Sequence, residues 1–167
     1  EGGAAALADV LSGKVNPSGK LPVTFPARSE DDTADLKTSK SAYSEGLLVG
    51  YRGYQARGVK PLFPFGHGLS STSFAYSPLR VPARVAGAKP VTVRRTLRNT
   101  GKRAGQEVVQ VYVEPVEAVA GEPTRTLRAF RKVAIAAGGR QDVVLSLDPR
   151  AFSAYVVKAV GWRVRPG

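Results

Sequence analysis

From Phe74 onward the chain is written in period two. Val91, Val93 and Leu97 alternate with Thr92, Arg94, Thr96 and Arg98. Val109, Val111 and Val113 alternate with Val108, Gln110 and Tyr112, and Val143, Leu145 and Leu147 repeat the pattern. A period of two sends successive side chains to opposite faces of an extended strand, which an amphipathic helix cannot do. Turn signals cut these runs short: Pro82, Asn99-Thr100-Gly101, the Pro- and Gly-containing stretch Glu114–Thr124, and Ala137-Gly138-Gly139. Short strands between regularly spaced turns predict an all-β sandwich. The expected strands are Phe74–Val81, the run through Val91 and Arg98, Gln106–Val113, Arg125–Ile135 and Asp142–Leu147, then a less regular Ala154–Val164 around Trp162. Arg95 breaks the inner face of the second. Both faces of the third are apolar, as in a central strand. Leu127, Phe130 and Val133 are the expected core of the fourth.

The stretch before this region is Pro61–Phe74, PLFPFGHGLSSTSF. Pro61 and Pro64 fix φ and push the residues before them toward extended geometry, so neither a helix nor a central strand fits. Three aromatics in fourteen residues make it an apolar loop that must pack on something. Further upstream, Leu7, Val10 and Leu11 recur at helical spacing among alanines, and Gly13 supplies a stop, so Gly2–Gly13 reads as the end of a helix. Asn16-Pro17-Ser18-Gly19 is a turn, and Lys20–Phe25 is a short strand that Pro22 confines to an edge. A helix, a turn and a strand make no core alone. Ala27–Ser41, with the acidic run Glu30, Asp31, Asp32, reads as a solvated linker; it lacks the spacing of a Ca²⁺ loop.

Ala42–Arg57 gathers Tyr43, Tyr51, Tyr54, Glu45 and Arg52. Two readings are open. Rings stack on sugar faces while carboxylate and guanidinium groups hydrogen-bond hydroxyls, so these residues fit a substrate cleft. They fit equally an interdomain seam with a Glu45–Arg52 contact. His67 is the only histidine. One imidazole makes no metal cluster, so it reads as a packed loop residue donating to backbone rather than an acid–base catalyst.

Lys and Arg number 25 against 13 Asp and Glu, a net charge of +12. The basic residues are spread from Lys14 to Arg165, and the clusters at Arg94-Arg95-x-x-Arg98 and Arg125–Lys132 fall in strands, where they stand on a solvated face. No nucleic-acid partner is expected. No run of eighteen apolar residues exists, so no membrane span is expected. Cysteine is absent, which removes disulfide and thiol chemistry and leaves the compartment open, bacterial cytoplasmic or secreted. The opening EGGAAALADV is not a secretory signal; it starts inside a helix without Met, as in a processed or truncated chain.

The segment Glu45-Gly46-Leu47-Leu48-Val49-Gly50-Tyr51-Arg52, followed by PLFPFGHGLSSTSF, resembles the C-terminal region of glycoside hydrolase family 3, the β-glucosidase family. Upstream, GGAAALADV…NPSGKLPVTFP resembles the segment closing that family's α/β-sandwich domain. Downstream, VTVRRTLRNTGKRAGQEVVQVYVEP and TRTLRAFRKVAIAAGG resemble its fibronectin type III-like domain. Gly53, Gln55 and Ser71 depart from the family's wording. The resemblance implies three parts: a remnant of the α/β-sandwich domain over 1–26, an interdomain linker and docking loop over 27–73, and a fibronectin III-like β-sandwich over 74–167, lacking its last strand.

The same resemblance implies a retaining hydrolase of terminal β-linked sugars. Its catalytic Asp and Glu lie upstream, so no catalytic residue is expected in this chain and the 167 residues alone are expected to be inactive. Glu45, Tyr51, Arg52, Tyr54 and His67 are the cleft or seam candidates. No metal and no cofactor is implied, and the partners are the upstream catalytic domains, with a β-glucoside reached through them. A stand-alone carbohydrate- or protein-binding sandwich, or a polyanion binder, is the alternative. A sandwich without its last strand exposes a sheet edge, so the isolated chain should be marginally soluble. Thermal denaturation followed with light scattering checks this; a cooperative, monomeric melt well above about 60 °C contradicts it.

Overall fold

The structure, a computed structural model, describes residues 2–32, 44–85, 89–157 and 160–164. The chain divides into two units: residues 1–19, 68–111 and 128–166 in the first, and 20–67 with 112–127 in the second.

The first unit opens with α1 (Gly2–Leu11), an alanine-rich helix that buries none of its residues. Leu7 and Leu11 stand exposed on it, so its apolar stripe is uncovered among the described residues. The strands follow: β1 (Phe74–Tyr76), β2 (Val91–Asn99), β3 (Gly105–Val113), β4 (Thr126–Ile135), β5 (Arg140–Leu147), β6 (Ser153–Val156) and β7 (Gly161–Val164). They form an antiparallel sheet in the order β1-β2-β5, a β3-β4 pair and a β6-β7 hairpin. The β2–β5 register sets Val91 against Leu147, Val93 against Leu145 and Arg95 against Val143. Leu97 of β2, Val109 of β3, Val133 and Ile135 of β4 and Val143 of β5 are buried in one cluster, with Phe74 and Leu145 packed on it. Side chains from both sheets thus meet in one core, the two-layer sandwich that the period-two pattern predicts.

Three expectations for the strands are corrected. Phe74–Val81 is not one strand. Pro78 has no N–H to give, so the chain leaves the sheet after Tyr76 and returns for a single bridge between Arg80 and Arg94. Phe130 is 68% exposed. It lies an odd number of residues from Val133, so a period of two puts the two on opposite faces. Among the described residues β3 pairs with β4 alone, not as a central strand. Its second face is half-buried rather than enclosed.

Asn99 fixes how the layers meet. It is fully buried, and its amide makes four hydrogen bonds. Nδ2 donates to the carbonyls of Arg103 (2.7 Å) and Ile135 (3.1 Å). Oδ1 accepts from Thr72 Oγ1 (2.7 Å) and the Gly101 N–H (3.0 Å). The segment before β1, the β2–β3 turn and the end of β4 are therefore tied to one side chain. Gly101 and Gly105 are required by close approach: a Cβ at either would collide with the Thr72 side chain. Asn16 makes a similar tie, donating to the Ala104 carbonyl (3.0 Å) and accepting from the Ser71 N–H (2.7 Å) and the Ser70 hydroxyl (3.2 Å).

In the second unit, Lys20–Phe25 is not the expected strand. Pro22 on one side and Pro64 on the other interrupt any ladder, leaving one bridge, Phe25 to Phe63. The two segments still run antiparallel. Leu21 N–H donates to the His67 carbonyl (2.8 Å), Gly66 N–H to Leu21 (2.8 Å) and Phe25 N–H to Phe63 (2.8 Å). Phe25 and Phe63 meet edge to face at 6.3 Å. The apolar loop thus packs on the segment it pairs with. The acidic run is not wholly solvated either. Asp31, in the 3₁₀ turn Ser29–Asp31, is 6% exposed and takes a two-point hydrogen bond from Arg28, at 3.1 and 3.3 Å. Arg28 holds the Asp31 carboxyl below its ordinary range. The rest of the linker, 33–41, and Tyr43 lie outside the described residues.

Replacing Asn99 by Ala strands four polar partners, one of them at the buried end of β4. The expected loss is about 3 kcal/mol, read as a lower urea midpoint at unchanged m-value. A loss below about 0.5 kcal/mol would mean that the amide only fills space.

Candidate functional site

The candidate residues of the second unit centre on α2 (Tyr51–Ala56), a short helix entered through Gly50 at φ 54°, a conformation that glycine adopts without strain. Tyr51 is the hub. Its ring lies 4.9 Å from Phe65, tilted by 30°, and 6.0 Å from Tyr112, edge to face. Its hydroxyl accepts the Leu127 N–H at 3.0 Å. The Arg52 guanidinium stands 5.8 Å over the same ring. One turn on, the Gln55 side-chain carbonyl, in the amide orientation that satisfies both partners, accepts from Nε and Nη2 of Arg125 at 2.5 Å each. The guanidinium of Arg125 lies 5.2 Å over Tyr112. The adjacent rings of Tyr51 and Tyr112 are therefore flanked by the guanidiniums of Arg52 and Arg125.

Burial, and then the neighbouring Tyr51, push the Tyr112 phenol above its ordinary pKa; Arg125 pulls it back in part. Tyr54 is 4% exposed, and its phenol is raised first by burial and then by the charge of Asp32. Both phenols stay protonated at neutral pH. Arg57 stacks 5.4 Å over Tyr54 and donates to the Asp31 carbonyl at 2.6 Å. Tyr54 Oη and Glu45 Oε2 are buried with no hydrogen-bond partner among the described residues. No Glu45–Arg52 ion pair is found there: Arg52 is turned to the Tyr51 ring. His67 packs its ring 5.2 Å from Phe63, and its backbone N–H donates to the Pro64 carbonyl at 3.0 Å.

Tyr51 and Arg52 are thus brought together, and Tyr54 lies on the same helix among Arg57 and Asp31. The sequence reading missed Phe65, Tyr112, Gln55 and Arg125 as members. The signal was there for Tyr112, which the alternation puts opposite Val109, Val111 and Val113, free to face a separate cluster. No signal marked Arg125, seventy residues from its partner Gln55. Among the described residues no group of three or more His, Asp or Glu could hold a metal ion, and no helix is long and apolar enough to cross a membrane. The cluster offers stacking and hydrogen bonding; it does not pair two carboxyl groups for acid–base work.

A two-sheet antiparallel sandwich built on an Asn-Thr-Gly turn, preceded by this aromatic helix and its proline-interrupted loop, defines a fibronectin type III-like module with a segment of a larger fold ahead of it. Residues 107–167 match the fibronectin type III-like domain model, and residues 1–71 match that of the glycosyl hydrolase family 3 C-terminal domain. The chain belongs to glycoside hydrolase family 3, and it corresponds to the C-terminal part of that family's proteins. It is 43% identical to thermostable beta-glucosidase B of Acetivibrio thermocellus, over 97% of this chain and 22% of the relative. A Bifidobacterium adolescentis GH3 beta-glucosidase superposes with a TM-score of 0.90 at 39% identity, over 99% of this chain and 25% of the other. A Streptomyces venezuelae beta-glucosidase solved with D-glucose gives 0.84 at 39% identity, over 97% of this chain and 22% of that one. The chain therefore spans about a fifth to a quarter of the length of these relatives.

Tyr51→Phe removes only the acceptor of the Leu127 N–H and should cost about 1 kcal/mol while speeding hydrogen exchange at the Leu127 amide. Tyr51→Ala also removes the contacts with Phe65 and Tyr112 and should cost about 2–4 kcal/mol. Equal losses in the two variants, read by urea denaturation, would show that the ring contributes nothing.

Proposed function

We propose that this chain is the C-terminal supporting part of a retaining glycosidase of the β-glucosidase type, acting on terminal β-linked sugars. It supports and docks onto upstream catalytic domains, through which it serves a β-glucoside substrate without supplying a catalytic residue of its own. The observation carrying this reading is the match along nearly the whole chain to proteins named as β-glucosidases, each about four to five times longer. Two structural features support it. The uncovered Leu7 and Leu11 stripe of α1 is a surface that a neighbouring domain would bury at about 25 cal/mol per Å². The stacked Tyr51, Tyr112 and Arg125 cluster has the rigidity of a seam, with its polar groups spent on one another. In this reading Glu45, Arg52, Tyr54 and His67 are seam residues rather than substrate ligands. No nucleic acid and no membrane span enter the reading.

The test is hydrolysis of aryl β-glucosides by the protein at its native length, with the product anomer followed by NMR. Hydrolysis with retention is expected, with no turnover by the 167 residues alone. Tyr51→Ala in the native-length protein should lower the inactivation temperature while leaving KM within about twofold, because a seam residue touches no substrate. An intact native mass no greater than that of this chain, with no turnover, would overturn the reading in favour of a free-standing binding module.

A further inference from the structure

We propose that the outer face of the β1-β2-β5 sheet binds an acidic polysaccharide, a sugar chain carrying carboxylate or sulfate groups. Val91, Val93 and Leu97 face the core, so Thr92, Arg94, Thr96 and Arg98 face outward. The register sets Arg98 directly opposite Arg140 of β5. Arg80 and Arg94 exchange both of their backbone hydrogen bonds, at 2.9 Å each, which places their side chains together on the same face. Two directly opposed arginine pairs thus share one surface, and all four residues are exposed.

Like charges directly opposite each other destabilise a sheet, so this arrangement calls for a counter-charge. The chain itself supplies little. Asp142, opposite Thr96, accepts the Thr96 hydroxyl on its Oδ1 at 2.7 Å. Among the described residues none of the four arginines has an ion pair with an acid. A guanidinium takes a carboxylate or sulfate through two parallel hydrogen bonds, and paired guanidiniums concentrate that attraction.

The spacing points to a polymer. Arg94 and Arg98 are four residues apart, roughly 13 Å along β2, so one small anion cannot satisfy both pairs. At one end the surface is dented. Where Ser77-Pro78 leaves the sheet, a cavity of about 230 Å³ opens, lined by Arg80, Arg94 and Arg95, with Thr96 and Asp142 beside them. Arg95 has the parity of Val93 and Leu97, so its side chain leaves the strand on the other side, where its Nε–H is donated to the Ser77 carbonyl (2.6 Å) and its guanidinium stacks 4.8 Å over Tyr76. The cavity is smaller than the roughly 300–1,000 Å³ of a complete ligand site, and suits one charged sugar unit of a longer chain.

The face favours a sugar chain over a nucleic acid. Between the two arginine pairs stand Thr96 and Asp142, and beyond Arg94 the hydroxyls of Thr92 and Ser146 match sugar hydroxyls. Among the described residues no aromatic ring stands between them for a base to stack on, and a flat sheet face enters no duplex groove. This site is separate from the glycosidase reading, because binding is measured without turnover and stands or falls alone.

The test measures binding of the native-length protein to polygalacturonate, dextran sulfate, neutral dextran and duplex DNA at two salt concentrations. At least one of the two acidic polysaccharides should bind, neutral dextran should not, and the affinity should fall with added salt. Which of the two binds identifies the acidic group. Arg94→Ser with Arg98→Ser should weaken binding at least about tenfold, and so should Arg80→Ser with Arg140→Ser. Arg131→Ser with Lys132→Ser, exposed on β4, should change it less than about twofold. The proposal is overturned if both outer-face double variants bind as tightly as the parent, if neutral dextran binds as well, or if duplex DNA is held more tightly than either acidic polysaccharide at the same salt.

Discussion

Four hydrogen bonds on the Asn99 amide hold the sandwich in its arrangement. A buried amide has two donor hydrogens and two acceptor lone pairs, and here each has a partner: Arg103, Ile135, Thr72 and Gly101. The apolar cluster around Leu97 would accept many packings of similar energy, because hydrophobic contact has no direction. The amide does have direction. It selects the one arrangement in which the segment before β1, the β2–β3 turn and the end of β4 converge on a single point. A polar group fully satisfied inside a core adds specificity, and one left unsatisfied would penalise every alternative.

That role explains which parts of the chain were legible. Period two in β2, β3 and β5 comes from the pleat itself, so the strands and most core positions could be read from residue order. Asn99-Thr100-Gly101 read as a turn by composition, but its larger task was invisible: the glycine makes room for Thr72, twenty-nine residues earlier. The misses have equally local causes. Phe130 drew attention by size, and size says nothing about face. Pro78 split β1 because one missing N–H ends a ladder. Lys20–Phe25 has strand-like composition, yet among the described residues its partner is another proline-interrupted segment, so pairing survives as isolated hydrogen bonds. Asp31 belonged to an acidic run that reads as solvated, until Arg28 three residues back supplied a partner.

The candidate site was half legible for a related reason. Tyr51, Arg52 and Tyr54 lie within four residues of one another, and their chemistry shows in any window of sequence. Phe65, Tyr112 and Arg125 reach the same cluster from remote points in the chain, and only the fold brings them there. Once assembled, the cluster argues against substrate contact at Tyr51. A ring that stacks on sugar needs a free face, whereas Tyr51 has Phe65, Tyr112 and Arg52 around it and its hydroxyl occupied by Leu127. At Tyr51 the ring faces and the hydroxyl are occupied, whereas Glu45 Oε2 and Tyr54 Oη have no hydrogen-bond partner among the described residues.

The distribution of charge follows the opposite logic. In the aromatic cluster each of Arg52, Arg57 and Arg125 lies over a ring or is bonded to a neighbour, so positive charge there is structural. On the outer face of the β1-β2-β5 sheet, among the described residues, Arg80, Arg94, Arg98 and Arg140 have no ion pair, and the acid beside them, Asp142, is hydrogen-bonded to Thr96. A net charge of +12 spread evenly would describe composition alone. Two opposed arginine pairs on one flat surface, beside a cavity opened by a proline, describe a place, and the repulsion between them is what an acidic chain would relieve.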